Sequence, residues 1–239
     1  MSTLPQSLDD AIAQARKATQ AALDDGLTRL QVELAFSELK IMLLAEQFVQ
    51  EFESLGPAFR VFFSDPGSAA LARRDWGEKP FPIRGIGELK AEIQPEEQLF
   101  LFIEPSSVEV NQVEALCNQA GERPVVFLNP KLEDVATLGI GYAGRQLRDR
   151  FLNTLESCYH LRPLQGGAVY RCYPGLWQVW MEQDGDYKLV AEQAQRPNGE
   201  QIEAIFLKAS GQAPPEAAVV APRRGFFSNL KGFLRALNQ

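Results

Sequence analysis

Large apolar residues along the first part of the chain switch repeatedly between helical spacing and short strand-like runs. Ser7-Leu8-Asp9-Asp10 can cap a helix whose apolar side is Leu8, Ile12, Ala15, Ala22 and Leu23, with Gly26 as its stop. Alternation at Leu30, Val32 and Leu34 predicts a strand over 27–34. Ser37 is placed to cap a second helix running to about Leu55, carrying Leu39, Met42, Leu43, Phe48 and Phe52, and Gly56-Pro57 ends it. A strand over 59–63 follows, and Ser64-Asp65-Pro66 opens the next helix because proline fits a helix's first turn. The Gly- and Pro-rich stretch 76–95 reads as a long connection. The continuous apolar run 99–103 predicts a strand buried on both faces. A helix over 108–119, a strand over 124–128 and an amphipathic helix over 143–158, with Leu147, Phe151, Leu155 and Cys158 on one side, complete this half. Such alternation predicts a largely parallel sheet with helices on its faces.

The pattern then changes. Short strands over 168–173, 176–181 and 187–191 are joined at Pro174-Gly175 and Asp184-Gly185, both strong turn signals. This is an antiparallel meander. Asn198 can cap a last helix through about Lys208, and 210–222 is rich in Ala and Pro. The expected architecture is a single mixed α/β domain over 1–209, a flexible tether over 210–222 and a basic amphipathic helix over 223–239.

That last segment places Phe226, Phe227, Leu230, Phe233, Leu234 and Leu237 at helical spacing. Arg223, Arg224, Lys231 and Arg235 are the only charged side chains after Glu216. Taking this +4 away from the chain's net −7 leaves −11 on the rest. Burial of the six apolar side chains yields at most roughly 9–18 kcal/mol. Ordering the helix costs on the order of 1 kcal/mol per residue, and each cation near an anionic leaflet adds roughly 1 kcal/mol. The sum suits reversible docking, on an anionic membrane surface or in a partner's groove. The stripe is too short to cross a bilayer, which takes about 20 apolar residues. The other reading is that it packs back on its own domain.

Composition narrows the classes. At 45% hydrophobic and 23% charged over 239 residues, the chain is an ordinary globular protein. Its N-terminus has neither the basic start and apolar core of a secretory signal nor an Arg-rich transit peptide, so residence in the compartment of synthesis, the cytoplasm, is expected. Cys117, Cys158 and Cys172 are odd in number and widely spaced, as expected for buried reduced thiols. His160 is the only histidine, which rules out two-histidine metal motifs; a structural role at a helix end is expected. The acidic balance argues against nucleic-acid binding. Neither a metal nor a cofactor is expected.

Two candidate ligand clusters stand out. Gly139-Ile-Gly141-Tyr-Ala-Gly144 matches a phosphate-loop spacing and opens a helix carrying Arg145 and Arg148. The dinucleotide fingerprint also needs a strand directly before it and an acid about twenty residues on. Neither is present, so a structural glycine turn competes with an anion site. The other cluster is Asp65 with Arg73, Arg74, Asp75 and Trp76, at the end of a strand where open α/β sheets place ligands. Asn129-Pro130 ends a neighbouring strand and would face the same crevice. In the meander, Trp180 should point away from Trp177 and Val179, so one face can offer an aromatic surface to a partner.

The runs 15–26 (ARKATQAALDDG), 71–76 (LARRDW) and 171–180 (RCYPGLWQVW), with Phe127-Leu-Asn-Pro130 and 148–151, resemble a cyanobacterial and chloroplast family of unknown-function domains over about 4–208. Its members include a plastid factor for photosystem II accumulation and an extension of an adenylate-kinase-like plastid protein. The resemblance implies a photosynthetic organism and a place near thylakoids, and carries over no catalytic residues. The resulting expectation is a non-enzymatic auxiliary or assembly factor, peripheral on the thylakoid membrane through 226–237, with a photosynthetic membrane protein as partner. The alternative is a nucleotide- or phosphometabolite-binding protein, or an enzyme, using the strand-end crevice.

Overall fold

Phe59–Phe63 and Leu99–Ile103 are buried at every position, and such strands can only be interior, covered on both faces. In the computed structural model they lie side by side in a nine-stranded sheet of order β3-β2-β4-β5-β1-β6-β7-β8-β9. The structure describes residues 3–36, 38–88, 91–133 and 142–211, with backbone alone for 142 and 143. Ser37, Gly139, Gly141 and the whole segment 212–239 therefore lie outside the described residues.

The strands are β1 (Arg29–Leu34), β2 (Phe59–Phe63), β3 (Ile83–Gly85), β4 (Leu99–Ile103), β5 (Val125–Leu128), β6 (Glu156–Leu164), β7 (Gly167–Cys172), β8 (Trp177–Gln183) and β9 (Asp186–Gln193). From β3 through β6 every pairing is parallel; β6 to β9 pair antiparallel. The expected mixed sheet and meander are both present. The β8–β9 turn has positive φ at Asp184 (56°) and Gly185 (82°), the conformation a tight hairpin demands.

Helices α1 (Leu8–Asp24), α2 (Ile41–Val49) and α3 (Pro66–Asp75) pack on one face, over Leu30, Val32, Val61, Leu101, Val126 and Tyr159. Helices α4 (Val110–Ala120) and α5 (Tyr142–Arg150) cover the other. There Phe62, Phe102 and Phe127 stack across β2, β4 and β5 at 4.7 and 5.3 Å between ring centres. The last helix, α6 (Gly199–Ala209), contacts β8 and β9 on this second face. A Cβ on Gly167 would lie 2.6 Å from the Phe206 ring. Asn198 caps α6 as expected, in a full capping box with Gln201.

Four expectations need correction. The helix read over 143–158 ends at Arg150; a 3-10 turn over Leu152–Thr154 breaks it, and Glu156–Leu164 is a strand. The i+4 spacing of Leu147, Phe151 and Leu155 continued past the break by coincidence. The strand between β1 and β7 is buried over 157–161, so it offered no alternation to read. His160 consequently sits in mid-strand rather than at a helix end. Helix α2 stops at Val49 and continues as 3-10 turns to Ala58, kinked at Gly56 (φ 52°). The 76–95 connection contains the short strand β3.

A cleft at the strand ends as the candidate functional site

Strands β1 and β5 are neighbours, but their following helices leave to opposite faces: α2 to the first, α5 to the second. Chains that diverge in this way leave a crevice at the carboxyl ends of the strands, where α/β proteins bind ligands. A cavity of about 310 Å3 lies there, between Phe36 and Leu39 after β1, Glu104 after β4, and Asn129 and Lys131 after β5. A second cavity of about 250 Å3 shares Glu33, Pro130 and Lys131 and is closed by Glu133, Leu152 and Arg196.

Backbone geometry at the rim is unusual. Glu104 and Asn129 hold positive φ of 45° and 49°. Non-glycine residues in this region carry a conformational cost and tend to mark sites. Asn129 is held by its own side chain. Its Oδ1 accepts from Leu34 N at 2.7 Å and its Nδ2 donates to Leu34 O at 3.1 Å. The amide thus extends the β1–β5 ladder by one step, and its role is to shape the cleft. Lys131 donates to Glu104 at 2.7 Å across the rim.

The inner wall is polar. In the parallel register Glu33 of β1 lies beside His160 of β6, which lies opposite Arg171 of β7. Glu33 Oε2 receives His160 Nδ1 at 2.9 Å and Arg196 Nη1 at 3.2 Å. Burial opposes ionisation of Glu33, but the contacts to His160 and Arg196 outweigh it and hold the carboxyl below its ordinary range. Burial also drives His160 down, against the pull of Glu33, so the ring is neutral at neutral pH. With Glu33 as acceptor, the proton sits on Nδ1. Trp177 fills the space behind, its ring 5.1 Å from His160 and 5.4 and 5.5 Å from the guanidiniums of Arg171 and Arg196.

The candidates read from sequence fall in different places. Asp65 caps α3, accepting from Ser68 N at 2.9 Å and Ser68 Oγ at 2.6 Å, and those bonds hold its carboxyl low. Arg73 and Arg74 sit at the other end of α3. Arg73 donates to Ile83 O at 2.7 Å, and Arg74 pairs with Asp75 at 2.6 Å. Asp65 and the two arginines therefore do not converge. Trp76 is buried against Phe63. In α5 Gly144 is buried, Arg145 is exposed and Arg148 pairs with Glu133 at 3.2 Å, beside the second cavity. Gly139 and Gly141, and the tail residues Arg223 to Leu237, lie outside the described residues.

Glu33, Glu104, Lys131 and Arg196 were not singled out in the sequence. Gln31 and Glu33 alternate with Leu30, Val32 and Leu34, which reads as a solvent-facing side, whereas Glu33 is only 21% exposed. A signal existed: a carboxylate near the end of a strand inside a parallel sheet needs a partner, and the chain's one histidine is it.

Among the described residues there is no group of three or more His, Cys, Asp or Glu that could hold a metal ion. None of their helices is long and apolar enough to cross a membrane. Cys117 and Cys158 are buried with thiols pushed up to about 12, chiefly by burial. The cleft's arrangement is that of a shaped, charge-paired receptacle. A model of a domain of unknown function, DUF1995, matches residues 5–204, and the chain belongs to that family.

Proposed function

We propose that this protein is a non-enzymatic auxiliary factor of the photosynthetic apparatus, acting in photosystem II assembly and held reversibly on the thylakoid membrane by residues 223–239. The observation that carries the proposal is charge segregation. The apolar stripe Phe226 to Leu237 is accompanied only by cations, while the rest of the chain is at −11. A body of that charge is repelled by an anionic leaflet, so the tail is the element able to bring it there. The resemblance of 15–26, 71–76 and 171–180 to plastid and cyanobacterial proteins supports the photosynthetic setting. The binding character of the body is supported by the cleft, whose Glu33, Glu104 and Glu133 are already in ion pairs.

The proposal is tested in a photosynthetic host that lacks the protein. Photosystem II should accumulate less. The full chain should restore it, and a chain with Phe226→Asp and Phe233→Asp should not. Normal photosystem II in the deletion would overturn the assignment.

A second reading, a small-molecule or phosphometabolite site in the cleft, is favoured by the costly φ of Glu104 at the divergence of β1 and β5. Thermal-shift measurements with nucleotides and sugar phosphates test it. Stabilisation that disappears in Lys131→Ala would support it, and no shift with any ligand would exclude it.

A further inference from the structure

Glu33 has two carboxylate oxygens and uses one of them. His160 Nδ1 at 2.9 Å, Arg196 Nη1 at 3.2 Å and Gln31 Nε2 at 3.3 Å all donate to Oε2. Among the described residues nothing donates to Oε1, and that oxygen is not sealed in the interior. Glu33 lines both cavities, so Oε1 is the acceptor it has left for an occupant. Against the cost of burial, the His160 and Arg196 contacts keep the group ionised at neutral pH. A carboxylate already ordered through one oxygen offers the other with little further loss of side-chain freedom.

The opposite sign stands on the same shared wall. Lys131 also lines both cavities. An ammonium has three donors, and among the described residues this one has a single acceptor, Glu104 Oε1 at 2.7 Å. Its side chain is 66% exposed, which leaves the other donors within reach of a ligand. Glu33 and Lys131 are held by different partners, Arg196 and Glu104, so neither neutralises the other.

Net charge decides among ligand classes. The two cavities are lined by Glu33, Glu104 and Glu133 against Lys131 and Arg196, an excess of one negative charge. A phosphate ester would add negative charge to that excess, and a simple amine would give Lys131 nothing to bind. An ammonium and a carboxylate on one carbon answer Glu33 and Lys131 together and add no net charge. Phe36 and Leu39, both half-buried, give the larger cavity of about 310 Å3 an apolar wall. Small-molecule sites combine such a wall with a few placed polar groups.

We infer that the cleft takes a free apolar α-amino acid, with its ammonium on Glu33 Oε1, its carboxylate on Lys131 and its side chain against Phe36 and Leu39. The inference rests on the reading of the cleft as a small-molecule site, and it selects the class of ligand within that reading. His160 and Arg196 are positioning residues here, since they hold Glu33 through its other oxygen.

Isothermal titration calorimetry of the full-length protein tests the inference with valine, leucine, isoleucine, methionine and phenylalanine. At least one should bind saturably. Its analogues lacking the carboxylate or the amine, isoamylamine and isocaproate in the case of leucine, should each bind at least about tenfold more weakly, because each loses a charge-assisted hydrogen bond. Lys131→Ala changes an exposed position. It should weaken the amino acid about tenfold and leave the amine analogue unaffected, whereas a general disturbance of the cleft would weaken both. No binding by any of the five, or either analogue binding as tightly as its amino acid, would overturn the inference. Stabilisation by nucleotides or sugar phosphates while all five amino acids fail would overturn it and leave the small-molecule reading standing. Failure of every compound would remove both.

Discussion

Glu33 and His160 share one hydrogen bond, His160 Nδ1 to Glu33 Oε2 at 2.9 Å, and it joins β1 to β6 at the inner wall of the cleft. Both partners have lowered folded-state pKa values. For His160, folding disfavours the proton, so the unfolded chain takes it up first as pH falls below about 6.5, the free value. Stability from this group is present above that pH and lost below it. For Glu33, stability is present above the ordinary carboxylate value and lost as pH falls through the lowered one. Both act in the same direction. Urea denaturation at pH 7.5, 6, 5 and 4 should show stability falling steadily with acid. In His160→Gln the fall between pH 7.5 and 5 should be shallower.

Asn129 predicts a stability effect separable from ligand binding. Asn129→Ala removes an acceptor and a donor from Leu34 and puts alanine, which tolerates positive φ less well than asparagine, in the left-handed conformation. Two lost hydrogen bonds and the φ penalty come to about 2–4 kcal/mol. A urea midpoint unchanged within error would contradict the clamp.

Gly167 is needed where α6 meets the meander. A Cβ there would lie 2.2 Å from the Trp180 carbonyl oxygen as well as against Phe206. The Phe206 ring can turn aside and the backbone oxygen cannot. Gly167→Ala should destabilise by about 1–3 kcal/mol. It should also raise proteolysis around 199–209, measured by limited digestion and mass spectrometry.

The thiols give a simpler check. Cys117 and Cys158 are buried and their pKa values raised, so neither should react with an aromatic disulfide reagent at pH 8 in the native protein. Unfolding in guanidinium should expose both at once.

Elements with a strong local rule are legible in the sequence. Ser7 and Asn198 each cap a helix as their side-chain chemistry predicts, Ser64-Asp65-Pro66 opens one, and Asp184-Gly185 turns the hairpin. What stayed hidden was decided by tertiary contacts. Residues 157–161 form a strand because β1 and β7 flank them, not through any periodicity of their own. Asp65 read as a ligand candidate because caps and ligands use the same residue types at strand ends. Glu33 was passed over because a polar alternation looks the same whether water or a buried histidine and an arginine face it. The cleft itself depends on α2 and α5 leaving to opposite faces, which only strand order determines.

The central claim is that residues 223–239 give an acidic body its membrane address. Flotation of the full-length protein on vesicles containing phosphatidylglycerol, beside a chain ending at Ala213, measures it most directly. The full-length protein should rise with the vesicles at low ionic strength and largely leave them at high salt, since the cationic part of the attraction is screened. The shortened chain should stay at the bottom in both. Equal flotation of the two proteins, or none by either, would contradict the account.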